Sequence, residues 1–110
     1  MHFIRVFLGP LSFLLPFDRV REMGTLLAFY HPCPAHTFHV ILVPKKQLDS
    51  LVTLGPADTP FLIDLFSSVQ SLVAENHLEE GGYRLIVNGG KFQDFPRLHF
   101  HLISGVARHN

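Results

Sequence analysis

The chain has 110 residues, no formal net charge and a single cysteine. That length holds one domain with its own core and leaves no room for a second, while the charge balance gives no basic field for a nucleic-acid groove. With Cys33 alone no internal disulfide can form, so a reducing, cytoplasmic setting is expected, with a small ligand or a protein as the counterpart.

Residues 1–24 read as an apolar N-terminal extension and residues 25–105 as the core of a single domain spanning 1–110. Phe3 to Phe17 is apolar apart from Arg5 and a turn-like Gly9-Pro10, and is shorter than the roughly 20 apolar residues of a membrane span. No small-x-small cleavage site follows Leu11 to Leu15, so the stretch is read as a buried or partner-covered segment, not as a signal peptide. The chain turns polar from Asp18 to Gly24. Thr25 to Tyr30 then reads as a buried strand, stopped by His31-Pro32-Cys33-Pro34 because proline cannot donate to a ladder. Phe38 to Val43 is expected to be a central strand with Phe38, Val40 and Leu42 on one face. His39 lies on the other face with Ile41 and Val43, either as a hydrogen-bonded core histidine or as a site residue.

After Lys45-Lys46 a short helix is expected over Leu48 to Leu54, ended by Gly55-Pro56. Asp58 or Thr59 can cap a long helix with Pro60 in its first turn, and Gly81-Gly82 ends it. Its apolar stripe, Leu62, Leu65, Phe66, Val69, Leu72 and Val73, recurs at spacings of three and four and should lie on a sheet. Tyr83 to Asn88 is the next strand, and Gly89-Gly90 opens a loop whose backbone N–H groups could approach an anion.

The last stretch, Pro96 to Gly105, alternates strictly: Leu98, Phe100 and Leu102 face one way, and Arg97, His99 and His101 the other. Imidazoles at alternate strand positions stand roughly 7 Å apart and can reach one small group. Neutral imidazole is a nucleophile and proton carrier near pH 7, and the protonated ring is a hydrogen-bond donor to phosphate oxygens. The same spacing also serves as a partial metal-ligand set or as a solvated pair, and the residues alone leave these readings open.

Arg97-Leu98-His99-Phe100-His101-Leu102-Ile103 resembles the signature of the histidine triad (HIT) family, in which three histidines alternate with apolar residues. His99 matches the middle histidine and His101 the last, and Arg97 stands where the first would be. Leu27-Ala28-Phe29, Pro34, His39 to Lys46, Tyr83-Arg84 and Val87-Asn88 are similar to the family in order and spacing, most of all to its nucleotide-binding branch. The resemblance implies an α+β, HIT-like fold: an antiparallel sheet of about five strands packed with one long and one short helix. It also implies a two-fold homodimer, with the long helix and the Tyr83 to Asn88 strand near the interface.

For function, the resemblance implies a hydrolase or transferase acting on a nucleoside phosphoramidate or nucleotidyl ester, with a purine nucleotide or related phosphate-bearing molecule as ligand and no cofactor. His99 would be the nucleophile that becomes nucleotidylated, and His101 would donate to the phosphate. Asn88, His39, Arg97, His31, Gln93 and Asp94 would make up the substrate-binding surroundings. His31 stands where the family usually carries an acidic residue that grips the ribose hydroxyls, so discrimination between ribonucleotides and 2′-deoxynucleotides should be weaker. A catalytically weak binding protein and a metal site on His99, His101 and His39 are the competing readings.

Overall fold

A computed structural model describes residues 19–108. The expectations for Phe3 to Phe17 lie outside the described residues. The described chain forms β1 (Arg19–Glu22), β2 (Leu26–Tyr30), β3 (His36–Pro44), α1 (Thr59–Glu75), α2 (Leu78–Gly81), β4 (Tyr83–Val87) and β5 (Phe100–Ala107). The five strands make one antiparallel sheet in the order β1-β2-β3-β5-β4, so the histidine strand lies inside it between β3 and β4.

Period-two alternation gives this sheet two unlike faces. Opposite residues share a face, and Phe100 pairs with Leu42 and Val87, while Leu102 pairs with Val40 and Leu85. These residues join Leu26 and Ala28 in a core against Phe61, Leu65, Val69, Leu72 and Val73 of α1. On the reverse face His101 pairs with Ile41 and Ile86, and His39 with Ile103. The alternation of β5 thus sends its apolar residues toward the helix and His101 away from it.

Several boundaries differ from expectation for local reasons. β1, in the polar Arg19–Glu22 stretch, was not anticipated, and Arg21 ties it to α1 through Ser71 Oγ at 3.1 Å and an ion pair with Glu75. The expected helix over 48–54 is only a 3₁₀ turn, Leu51–Thr53, and the short helix is α2. α1 stops at Glu75 instead of running to Gly81: Asn76 turns its own amide onto the Leu72 carbonyl at 2.9 Å, and His77 takes a left-handed conformation at φ 55°. Asp58 precedes α1 but makes no side-chain bond to it; its carboxylate accepts the Gly55 N–H at 2.9 Å and the Lys46 ammonium at 3.0 Å. In the apolar stripe Phe61 takes the buried place expected of Phe66, which is 54% exposed. The ladder of β5 begins at Phe100, so Pro96 to His99 form its lead-in and not part of the strand.

Candidate active site

His99 sits at the mouth of β5, where the loop joins the sheet, and only 4% of it is exposed. Its Nδ1–H donates to the Arg97 carbonyl at 2.8 Å. In the neutral ring the lone pair therefore falls on Nε2, which is buried and makes no hydrogen bond among the described residues. The Asp94 carboxylate is the anion beside it, 4.0 Å away. This is the arrangement a nitrogen nucleophile requires: one ring nitrogen fixed and the other bare.

The tautomer of His101 follows from a chain of donors that starts in the loop between β2 and β3. The Ala35 N–H donates to His39 Nδ1 at 3.0 Å, so the neutral His39 ring carries its proton on Nε2. That nitrogen lies 2.9 Å from His101 Nδ1, which must then accept, leaving the His101 proton on Nε2. His31 is set the same way, since the Cys33 N–H donates to its Nδ1 at 3.0 Å. The His31 and His39 rings stack at 4.3 Å between centroids, and His101 lies 5.1 Å from His39 and 5.0 Å from His99.

Burial holds the three rings uncharged. It lowers His31 to about 4, helped by repulsion from His99, and His101 to about 4, helped by His99 and His31. It lowers His39 to about 3, with His31, His101 and His36 adding repulsion. At neutral pH the cluster is therefore a set of oriented neutral N–H groups.

The ring nitrogens of His31, His39 and His101 lie within 4.8 Å of one another, close enough to test as a three-histidine metal site. Their outer hydrogen bonds run the wrong way for one. A metal-bound imidazole donates its remote N–H to an acceptor, whereas Nδ1 of His31 and of His39 each faces a backbone N–H donor. Binding a metal through Nε2 would set donor against donor in both rings.

The other expected residues fall in two groups. Asn88 directly follows Val87, the partner of Phe100, which sets it alongside His99 at the same end of the sheet. Asp94, Gln93 and Arg97 line an open cleft with Asp49 and Ser50. Within it the Gln93 amide is committed to backbone, donating to the Asp49 carbonyl at 2.7 Å and the Phe95 carbonyl at 3.0 Å. Arg97 turns its guanidinium to the Asp49 carboxylate at 3.4 Å. The Gly89-Gly90 loop also spends donors internally: the Phe92 and Gln93 N–H groups close a 3₁₀ turn onto the Gly89 and Gly90 carbonyls at 3.1 Å each. Ala35, Cys33 and Asp49 were not singled out from the sequence, because two act through the backbone and the third through a contact 48 residues away in the chain.

An antiparallel five-stranded sheet backed by one long helix, with two buried imidazoles of fixed tautomer at the end of an inner strand, defines a class of small α+β proteins built around a histidine site. The HIT domain model matches residues 15–108, and the chain belongs to the HIT family. An uncharacterized HIT-like protein of Rickettsia prowazekii is 32% identical over 94 residues, covering 83% of this chain and 78% of the relative. The crystal structure of a HIT family hydrolase from Legionella pneumophila is 28% identical, with a TM-score of 0.76 and 83% of each chain covered. A HIT family hydrolase from Clostridium thermocellum is 26% identical, with a TM-score of 0.79, covering 98% of this chain and 92% of the other.

Proposed function

We propose that the protein is a nucleotidyl hydrolase or transferase that acts on a purine nucleoside phosphoramidate or nucleotidyl ester through a covalent intermediate on His99. The observation that carries this reading is the His99 ring itself, with Nδ1–H tied to the Arg97 carbonyl and Nε2 buried and bare. In the reaction Nε2 forms a bond to phosphorus as the bond to the leaving amine or oxygen breaks, and the leaving group takes up a proton. Water then adds to phosphorus as the phosphorus–nitrogen bond breaks, giving back to solvent the proton that the leaving group took from it, and releases the nucleotide and neutral His99. The His101 Nε2–H donates to the phosphate oxygens as charge develops on them, and His39 holds that tautomer. Asn88 adds a donor at the same end of the sheet, and the hydrolase class of two similar structures supports the reaction type.

The protein works as a two-fold homodimer in this reading, joined through the edge strand β4 and the exposed side of α1, in the cytoplasm, where exposed Cys33 stays a thiol. Quench-flow with mass spectrometry on a panel of nucleoside phosphoramidates and dinucleoside polyphosphates tests the chemistry. A nucleotidyl adduct at residue 99, formed and lost at the turnover rate and missing in His99→Ala, is the expected result. Robust turnover by both proteins with no adduct overturns the nucleophile, and tight binding without turnover overturns the enzyme in favour of a binding protein.

A further inference from the structure

The peptide unit joining Arg97 to Leu98 is held at both ends. Its carbonyl accepts His99 Nδ1–H at 2.8 Å, and its N–H donates to the Leu48 carbonyl at 2.8 Å. In a planar trans peptide these groups point in opposite directions, so a tilt that loosens one bond loosens the other. Leu48 is a fixed post, because its side chain is 7% exposed and packed into the core.

The residues on either side of that post are gripped from the histidine loop. The Arg97 guanidinium pairs with the Asp49 carboxylate at 3.4 Å, and the Gln47 amide, its oxygen toward Arg97, accepts from Nη2 at 3.1 Å and from Nη1. Gln93 adds its bond to the Asp49 carbonyl at 2.7 Å. We propose that Gln47-Leu48-Asp49 is the platform that holds His99 in its Nδ1–H tautomer and aims Nε2, with Arg97 as the positioning residue that clasps the platform on both sides of Leu48. The consequence for catalysis rests on the reading of His99 as nucleophile.

An exposed ion pair contributes little to stability. A nucleophile misplaced by about 1 Å, in contrast, can lose 10²-fold in rate. The clasp should therefore show in the rate and in the His99 ring, and hardly at all in the melting temperature or in KM. An arginine that touched substrate phosphate would instead act on KM.

The test measures ¹⁵N spectra of the His99 ring in ligand-free full-length protein, and kcat and KM separately, for Arg97→Ala, Asp49→Ala, the double variant and Arg97→Lys. Arg97→Ala is expected to mix the two His99 tautomers and to lower kcat about tenfold, with KM changed less than about twofold. Asp49→Ala should move both readouts the same way by less, and the double variant should match Arg97→Ala because Arg97→Ala already removes the contact that Asp49→Ala breaks. Arg97→Lys should restore part of the effect, since an ammonium can hold Asp49 but cannot also span to Gln47. Lys45→Ala, which breaks a surface pair with Glu22, should leave the His99 spectrum unchanged. A wild-type tautomer in Arg97→Ala, or a loss confined to KM, overturns the proposal. If Arg97→Ala fails to fold, Gln47→Ala and Asp49→Ala, both exposed, carry the same test. Because the spectra need no substrate, a wild type that forms no adduct would overturn the nucleotidyl reading and leave the tautomer result standing.

Discussion

Each imidazole of the site has a proton position dictated by what lies behind it: a carbonyl behind His99 and backbone N–H groups behind His31 and His39. In the proposed reaction this difference separates the nucleophile from the donor, and it sets the expected cost of removal. His99→Ala should lose several orders of magnitude in turnover of any nucleotidyl substrate the wild type cleaves, since only positioning and electrostatic help remain. His101→Ala should lose about 10²–10³-fold, the usual loss of one donor to a developing anion. Single-turnover rates for both variants check the order. Equal losses would mean that the two rings act as one unit.

The buried histidines also set a pH dependence whose sign is fixed. His31, His39 and His101 titrate below the ordinary histidine value of about 6.5 because burial disfavours the charged ring. On acidification the unfolded chain takes up these protons first, so stability is complete above about pH 6.5 and falls as the pH drops toward 4, by up to about 1.4 kcal/mol per pH unit for each ring. Urea titrations at about pH 7.5 and pH 5 should show the loss, with a shallower slope for His31→Gln. An equal slope in that variant would place the titration elsewhere. The His-x-His spacing was legible in the sequence, as was the split of β5 into two faces. The tautomers of His31, His39 and His101 were not, because they depend on Cys33 and Ala35 donors that approach only once the β2–β3 connection folds back on its own strands.

At the level of elements, alternation and helical periodicity located every strand that carries the core and the long helix, since burial on one face leaves its period in the sequence. What failed to show were features made by single contacts: β1 and its tie to Glu75, the Asn76 and His77 break in α1, and the exchange of Phe61 for Phe66 on the buried stripe. One such contact gives a sharp test. At the irregular β3–β5 pairing Gly105 has φ +83°, and a Cβ there would lie 2.8 Å from Thr37 Cβ. Gly105→Ala combines backbone strain with a clash against a neighbouring strand and should cost about 1–3 kcal/mol in chemical denaturation. Gly24→Ala meets nothing within 4 Å and should be within about 0.5 kcal/mol of wild type. A neutral Gly105→Ala would mean that the two strands part easily at this point.

For the whole molecule the open question is what covers β4. Among the described residues it is an edge strand, paired only with β5, and Tyr83 on it is 42% exposed. On α1, Ile63 and Phe66 are 63% and 54% exposed, although the helix already buries a complete stripe on the other side. Such an edge invites pairing with another chain, and a two-fold axis beside β4 would pair it with its own copy antiparallel and close the assembly. Light scattering at micromolar concentration should therefore give twice the monomer mass. The pair Ile63→Glu and Phe66→Glu decides whether these residues belong to the interface, because on a free monomer surface such changes stay within about 0.5 kcal/mol. In a dimer they place unpaired carboxylates in apolar contact, and the double variant should dissociate, with a melting temperature that no longer rises with protein concentration. A wild type of monomer mass would assign both the edge and the helix face to solvent, and a double variant that remains dimeric would assign the helix face alone to solvent.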